Sequence, residues 1–107
     1  DSEKDLVAVA EFSGKVVGFA NIRLRTDYVA GTKSSPVAYL EGIAVLEEFR
    51  GKGIAKKLFE FCAQWAKEKG CTEFASDCEL ENTQSLQFHL NVGFEEANRI
   101  ICFTKKL

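Results

Sequence analysis

The stretch Gly42-Ile43-Ala44-Val45-Leu46-Glu47-Glu48-Phe49-Arg50-Gly51-Lys52-Gly53-Ile54-Ala55-Lys56-Lys57-Leu58 decides the fold. Its first residues close an apolar strand. Its last open an amphipathic helix, with Ile54, Leu58, Phe61, Cys62 and Trp65 at helical spacing and Lys56, Lys57, Glu60, Gln64, Lys67 and Glu68 filling the other side. Glycines between the two let backbone amides approach a bound group closely. The first helical turn adds unpaired N–H groups and a positive dipole end, so an anion is favoured there. Arg50, Lys52, Lys56 and Lys57 fall within eight residues that hold no acid. The segment predicts a turn that grips a pyrophosphate, against the plainer alternative of a loop before a solvated helix. It has neither the spacing of a P-loop nor the third glycine of a dinucleotide fingerprint.

Upstream, residues 6–12 and 16–24 read as a hairpin about the turn Ser13-Gly14-Lys15, and 28–36 as a loop rich in turn residues. Residues 37–46 form a third strand, with Val37, Tyr39, Glu41, Ile43 and Val45 expected on one face and Ala38, Leu40, Gly42 and Ala44 on the other. Downstream, Gly70 stops the helix. Residues 72–78 read as a fourth strand and 82–91 as a short helix with Leu86 and Leu90 inward. Residues 94–97 and 100–105 then read as two antiparallel strands. This order predicts one mixed α/β domain over residues 1–107, without repeat or linker.

The 107 residues are 46% hydrophobic and 28% charged, with a formal net charge of -2, an ordinary composition for a single core. That charge argues against nucleic acid as partner, and no apolar run approaches a membrane span. Asp1-Ser2-Glu3-Lys4-Asp5 is no secretory leader, so the cytoplasm is expected. The chain has no methionine, and further residues are expected in front of it. Cys62, Cys71, Cys78 and Cys102 form no C-x-x-C pair and read as buried thiols, with no metal site expected.

Glu73, Asp77, Glu79 and Glu81 make a run free of basic residues. An anionic cofactor and a cationic acceptor would need such a division between basic and acidic regions. Glu73, Glu79 and Glu81 also suit a solvated edge. Asp77 follows apolar Phe74 and Ala75 in the expected strand, where a carboxylate requires a partner or ligand. Glu41 shares its expected face with Tyr39, Ile43 and Val45; partial burial there would suit a base, while an ion pair with Arg23 or Arg25 is the structural alternative.

Arg50-x-x-Gly53-x-Ala55 resembles the acetyl-CoA signature of the Gcn5-related N-acetyltransferase (GNAT) superfamily, Q/R-x-x-G-x-G/A. Gly42-Ile43-Ala44-Val45 before it, and Asn82 leading to His89-Leu90-Asn91-Val92-Gly93-Phe94 after it, are similar to that superfamily in the same order. A narrower resemblance is to the aminoglycoside 6'-N-acetyltransferases, carried by the residues from Asp27-Tyr28-Val29 to Glu41-Gly42-Ile43, by Cys71-Thr72-Glu73-Phe74-Ala75-Ser76-Asp77 and by Ile100-Ile101-Cys102-Phe103-Thr104-Lys105-Lys106. The resemblance implies the GNAT fold, a mixed and mostly antiparallel sheet flanked by helices, with its first strand and first two helices missing here. It implies that the amides of Arg50, Gly51, Lys52, Gly53, Ile54 and Ala55 hold the pyrophosphate of acetyl-CoA. The main chain of Ile43, Ala44 and Val45 would then pair with the pantetheine arm, which Asn82 also reaches. It implies further that Tyr39, Glu41, Asp77 and Glu79 line the acceptor site, and that the protein is a homodimer.

The implied reaction is direct attack of an amine on the thioester, with Asp77 or Glu41 as base and amides near Ile43 and Ala44 stabilising the oxyanion. Many relatives carry a tyrosine four residues before the Gly-Phe pair as general acid. His89 stands at that place here, as an acid or as a packing residue. Two alternatives stay open: a polyamine, small amine metabolite or protein N-terminus as acceptor, and a CoA-binding regulator without turnover. The acetyltransferase readings expect Glu41 and Asp77 on the same side of the sheet as the helix start at Gly53.

Overall fold

Ser13 and Gly14, both left-handed at φ 51° and 78°, join β1 (Asp5–Phe12) to β2 (Lys15–Arg25) in a two-residue hairpin turn. Turns of that hand match the twist of the strands they connect. The computed structural model describes residues 3–107. The chain divides into a larger unit, Asp1–Asp77, and a smaller one, Cys78–Leu107.

In the larger unit β3 (Val37–Val45) pairs antiparallel with β2, and a short β4 (Phe74–Ala75) pairs parallel with β3, giving the order β1-β2-β3-β4. A single 3-10 turn (Glu47–Phe49) and the helix α1 (Ile54–Glu68) make the crossover that a parallel pair requires. Ala8, Ala20, Ile22, Ala38 and Leu40 stand on one sheet face and are buried. α1 lays Leu58, Cys62 and Ala66 on that face, with Trp65, Leu24 and Phe74 packed around Ala38 and Ala66. Gly18 permits the closest approach: a Cβ there would stand 3.0 Å from the Ala44 carbonyl oxygen and 3.4 Å from Leu58. On the second face Val29, from the loop after β2, packs with Val37, Tyr39 and Ala75.

The strict alternation expected along β3 does not hold. Ile22 pairs with Leu40 and Asn21 with Gly42, so Glu41 is an extra residue, a bulge. Beyond it the phase reverses: Ile43 and Val45 pair with Ala20 and Gly18 on the α1 face, opposite Tyr39. The fourth strand is two residues long rather than seven, and Asp77 lies past its end. The buried stripe of α1 runs at intervals of four, which leaves Phe61 61% exposed rather than inward.

In the smaller unit Asn82 caps α2 (Thr83–Asn91), its side chain accepting the Ser85 N–H at 3.0 Å. No α2 residue is fully buried, and Leu90 is exposed rather than inward. The two strands expected over 94–97 and 100–105 are not formed. Arg99 pairs with Glu96 three positions earlier, a local contact that an extended chain does not make, and an isolated strand pair is marginal in water. Cys62 and Cys71 are buried, and burial pushes the Cys62 thiol up to about 11. Cys78 and Cys102 are exposed, contrary to expectation, because both lie outside the elements that build the core. Among the described residues no helix is long and apolar enough to cross a membrane.

Candidate active site

The loop leaving β3 is pinned before it turns. Arg50 Nε donates to the Val45 carbonyl at 3.0 Å, so this side chain anchors the turn. Gly51 and Gly53 follow at φ 79° and 80°, backbone values that side chains other than glycine rarely adopt. Gly53 is the N-cap of α1 and supplies no side-chain cap; the first turn holds no acid. Lys57 N–H makes the first helical bond, to Gly53 at 3.1 Å. The amides of Ile54, Ala55 and Lys56 therefore precede the ladder and point out of the helix start. Lys52, Lys56 and Lys57 are exposed around them. This donor set fits a pyrophosphate: bare amides, a dipole end and mobile cations, with no competing carboxylate.

A second group forms on the sheet face away from α1. The Tyr39 hydroxyl donates to the Asp77 carboxylate. Arg25 lies over the Tyr39 ring, its guanidinium carbon 3.7 Å from the centroid, and Nη2 donates to Glu41 at 3.0 Å. Burial, and then the Asp77 carboxylate, push the Tyr39 phenol up to about 12, so it stays a donor. Glu41, expected to be partly buried and basic, is instead an exposed bulge residue with an arginine partner. Asp77 meets its need for a partner through Tyr39, from an exposed position.

The carboxylates thus lie on the face opposite the one α1 covers, and the expectation of a shared side is not met. The reason is the bulge: Arg25 and Tyr39 hold the Glu41 carboxylate on their own face, while the chain beyond it changes phase. An opening between the two faces does exist in the ladder. β3 pairs with β4 only at Ala38–Phe74 and Tyr39–Ala75, then runs on to Val45 without that partner. Ile43, Ala44 and Val45 lie in this unpaired half, about 13 Å of strand separating Glu41 from the turn.

Glu73 does more than line an edge. Its carboxylate accepts the Lys33 N–H at 2.8 Å and the Ser34 hydroxyl, tying the 28–36 loop to the start of β4. Those bonds, Ser34 first, hold its pKa below the usual value. The Arg25–Glu41 ion pair is one of the alternatives read from the sequence, whereas this clamp and the stack of Arg25 on Tyr39 were not legible there.

The sequence pattern of the Acetyltransferase (GNAT) family matches residues 1–94. The chain is 47% identical over 98 residues to the aminoglycoside N(6')-acetyltransferase type 1 of Salmonella typhimurium, covering 92% of this chain and 68% of that protein. It is 40% identical over 107 residues to the same-named protein of Stenotrophomonas maltophilia, covering 100% and 70%. The structure of AAC(6')-Iy with the bisubstrate analogue CoA-S-monomethyl-acetylneamine superposes with a TM-score of 0.93 at 44% identity, over 97% of this chain and 71% of that one. AAC(6')-Ig of Acinetobacter haemolyticus, without ligand, superposes at 0.92 with 38% identity, over 97% and 72%. The chain belongs to the GNAT acetyltransferases, in their aminoglycoside 6'-N-acetyltransferase branch.

Three GNAT positions fall in the smaller unit. Asn82 gives its carboxamide oxygen to the α2 cap, so Nδ2 is the end a ligand would meet. His89, in the place of the GNAT tyrosine, has Nδ1 2.7 Å from the Ser85 carbonyl, with its ring beside Phe88 and Phe94 at 5.6 and 5.1 Å. A carbonyl only accepts, which puts a proton on Nδ1. Glu79 is exposed, and its carbonyl accepts the Asn82 N–H at 3.0 Å.

Proposed function

We propose that this GNAT chain transfers acetyl from acetyl-CoA to the 6'-amine of aminoglycosides. The observation that carries the reading is the pairing, within one unit, of an acid-free glycine turn at Arg50–Ala55 with a carboxylate group built on Tyr39. The amides of 50–55 and the flanking lysines hold the pyrophosphate, and the main chain of 43–45 meets the pantetheine arm. Tyr39, Glu41 and Asp77 meet the ammonium groups of the acceptor.

An ammonium must lose a proton before it attacks. Asp77 or Glu41 takes that proton, a contribution on the order of 10²–10⁴-fold. The nitrogen then bonds to the acetyl carbon, the carbonyl electrons move onto oxygen near the Ile43 and Ala44 amides, and the C–S bond breaks as the carbonyl re-forms and the nitrogen releases its second proton to water. The leaving thiolate takes up a proton as it departs. Acetyl-CoA supply places the reaction in the cytoplasm, and four free cysteines suit a reducing compartment.

The protein pairs with a second copy through its final segment. Ile100, Ile101 and Phe103 are 73, 80 and 86% exposed, an apolar run that a free surface rarely carries. Sedimentation of the chain should give a dimer, and Phe103→Asp a monomer.

The test of function is thiol release from acetyl-CoA with kanamycin, neamine, spermidine and a free-amine peptide as acceptors. Release with the two aminoglycosides at the lowest KM is expected. Release only with spermidine or the peptide would reassign the acceptor, and CoA binding without release from any amine would mark a regulator.

A further inference from the structure

Two carboxylates face the proposed acceptor site, and the contacts around them differ. Glu41 faces a permanent cation: Arg25 Nη2 stands 3.0 Å away, and the two side chains are 36% and 33% exposed, partly shielded from solvent. The same guanidinium lies flat against Tyr39 at 3.7 Å, the stacking geometry that suits a planar, weakly hydrated cation. Among the described residues the side-chain partner of Asp77 is the neutral phenol of Tyr39. Asp27 acts on Arg25 through charge at longer range and makes no hydrogen bond with it. One arginine thus neutralises one carboxylate, fixes the ring that orients the other, and leaves the second charge uncompensated.

We propose that Arg25 is a positioning residue of the amine site, which commits Glu41 to an internal ion pair and leaves Asp77 as the carboxylate that receives the substrate ammonium. The proposal rests on the acetyltransferase reading above and chooses between the two bases that reading leaves open. It also assigns the site a charge preference. With Arg25 in place the contact group of Arg25, Tyr39, Glu41 and Asp77 carries one net negative charge, enough for one ammonium. Without it the group carries two, and a polyamine gains over a monoamine.

Arg25→Gln and Arg25→Lys test this, with binding read by calorimetry at low salt and turnover by thiol release. The acceptors are kanamycin, with several amines, and 6-amino-6-deoxyglucose, with one. Thermal melts select variants that keep the wild-type transition. Arg25→Gln should bind kanamycin about threefold to tenfold more tightly while the monoamine changes less. Its kcat should fall about tenfold with both acceptors, because Tyr39 and Glu41 lose their common anchor. Arg25→Lys should return kanamycin binding to the wild-type value and restore kcat only in part, since an ammonium restores the charge and not the stacked plane. Equal kanamycin affinity in wild type and Arg25→Gln, including no binding by either, overturns the proposal. So does a kcat within twofold of wild type. If the wild type binds kanamycin and never acetylates it, the proposed function fails while the affinity comparison still decides the role of Arg25.

Discussion

The Tyr39 hydroxyl donates its proton to the Asp77 carboxylate, tying the middle of β3 to the residues just past β4. The strands themselves pair over two positions only. This side-chain bond extends their association beyond the ladder and fixes where the carboxylate stands.

Asp77→Asn should lower kcat at least tenfold with acetyl-CoA affinity within twofold of wild type, because the amide keeps the Tyr39 bond and loses the base. Tyr39→Phe should cost about threefold to tenfold in kcat, since the ring stays under Arg25 and only the donor is lost. Steady-state kinetics with calorimetric acetyl-CoA binding measures both. Unchanged turnover in Asp77→Asn removes Asp77 from the chemistry.

Gly53→Asp should weaken acetyl-CoA binding at least tenfold while kanamycin binding persists. The carboxylate would face the phosphates, and φ of 80° is unfavourable for any side chain. Gly53→Ala shares the strain without the charge, so a smaller loss there separates the two causes. If both variants bind acetyl-CoA normally, the turn does not hold the phosphates.

The Tyr39 proton also links stability to pH. Its folded pKa is pushed up to about 12 against an ordinary 10.0. The unfolded chain therefore releases that proton first, and the stability it confers is whole below pH 10 and lost as pH rises towards 12. Over that window the melting temperature of wild type should fall more steeply than that of Tyr39→Phe. Parallel slopes would mean the phenol ionises as freely folded as unfolded.

Glu73→Ala should release the 28–36 loop. Hydrogen exchange at the Lys33 amide should quicken about tenfold, with β2 amides unchanged. Because hydrogen bonds hold the Glu73 carboxyl below its ordinary value of 4.5, the clamp is present at neutral pH. It should weaken as pH falls through the lowered value. Lys33 exchange that ignores the substitution would show that the loop is held elsewhere.

What could be read in the chain followed from local rules. Ile54, Leu58, Cys62 and Trp65 recur at helical spacing between Gly53 and Gly70, so the helix was legible, whereas the burial of Ala66 in place of Phe61 was not. The helix read over 82–91 is α2, and its cap by Asn82 is added by the structure. The bulge was not legible, because Glu41-Gly42 fits unbroken alternation equally well and only the register with Asn21 and Ile22 exposes the extra residue. Ile100, Ile101, Phe103 and Thr104 favour a strand, whereas Glu95, Glu96 and Ala97 do not, and a strand is completed by a neighbour's backbone, which composition does not contain. The role of Arg25 is likewise a property of cross-strand register: neighbours in space, fourteen positions from Tyr39 in the chain.

The extra residue in β3 makes charge removal and residue removal different operations. Glu41→Gln alters one side chain and leaves every pair in place. Deleting position 41 removes the bulge as well: Leu40 and Gly42 stay opposite Ile22 and Asn21, and regular alternation leaves Tyr39 on its own face and Ile43 and Val45 on that of α1. Length at this point is therefore held less tightly than chemistry, and a variant that loses that single codon should keep the fold while losing both the partner of Arg25 and the local twist the bulge supplies.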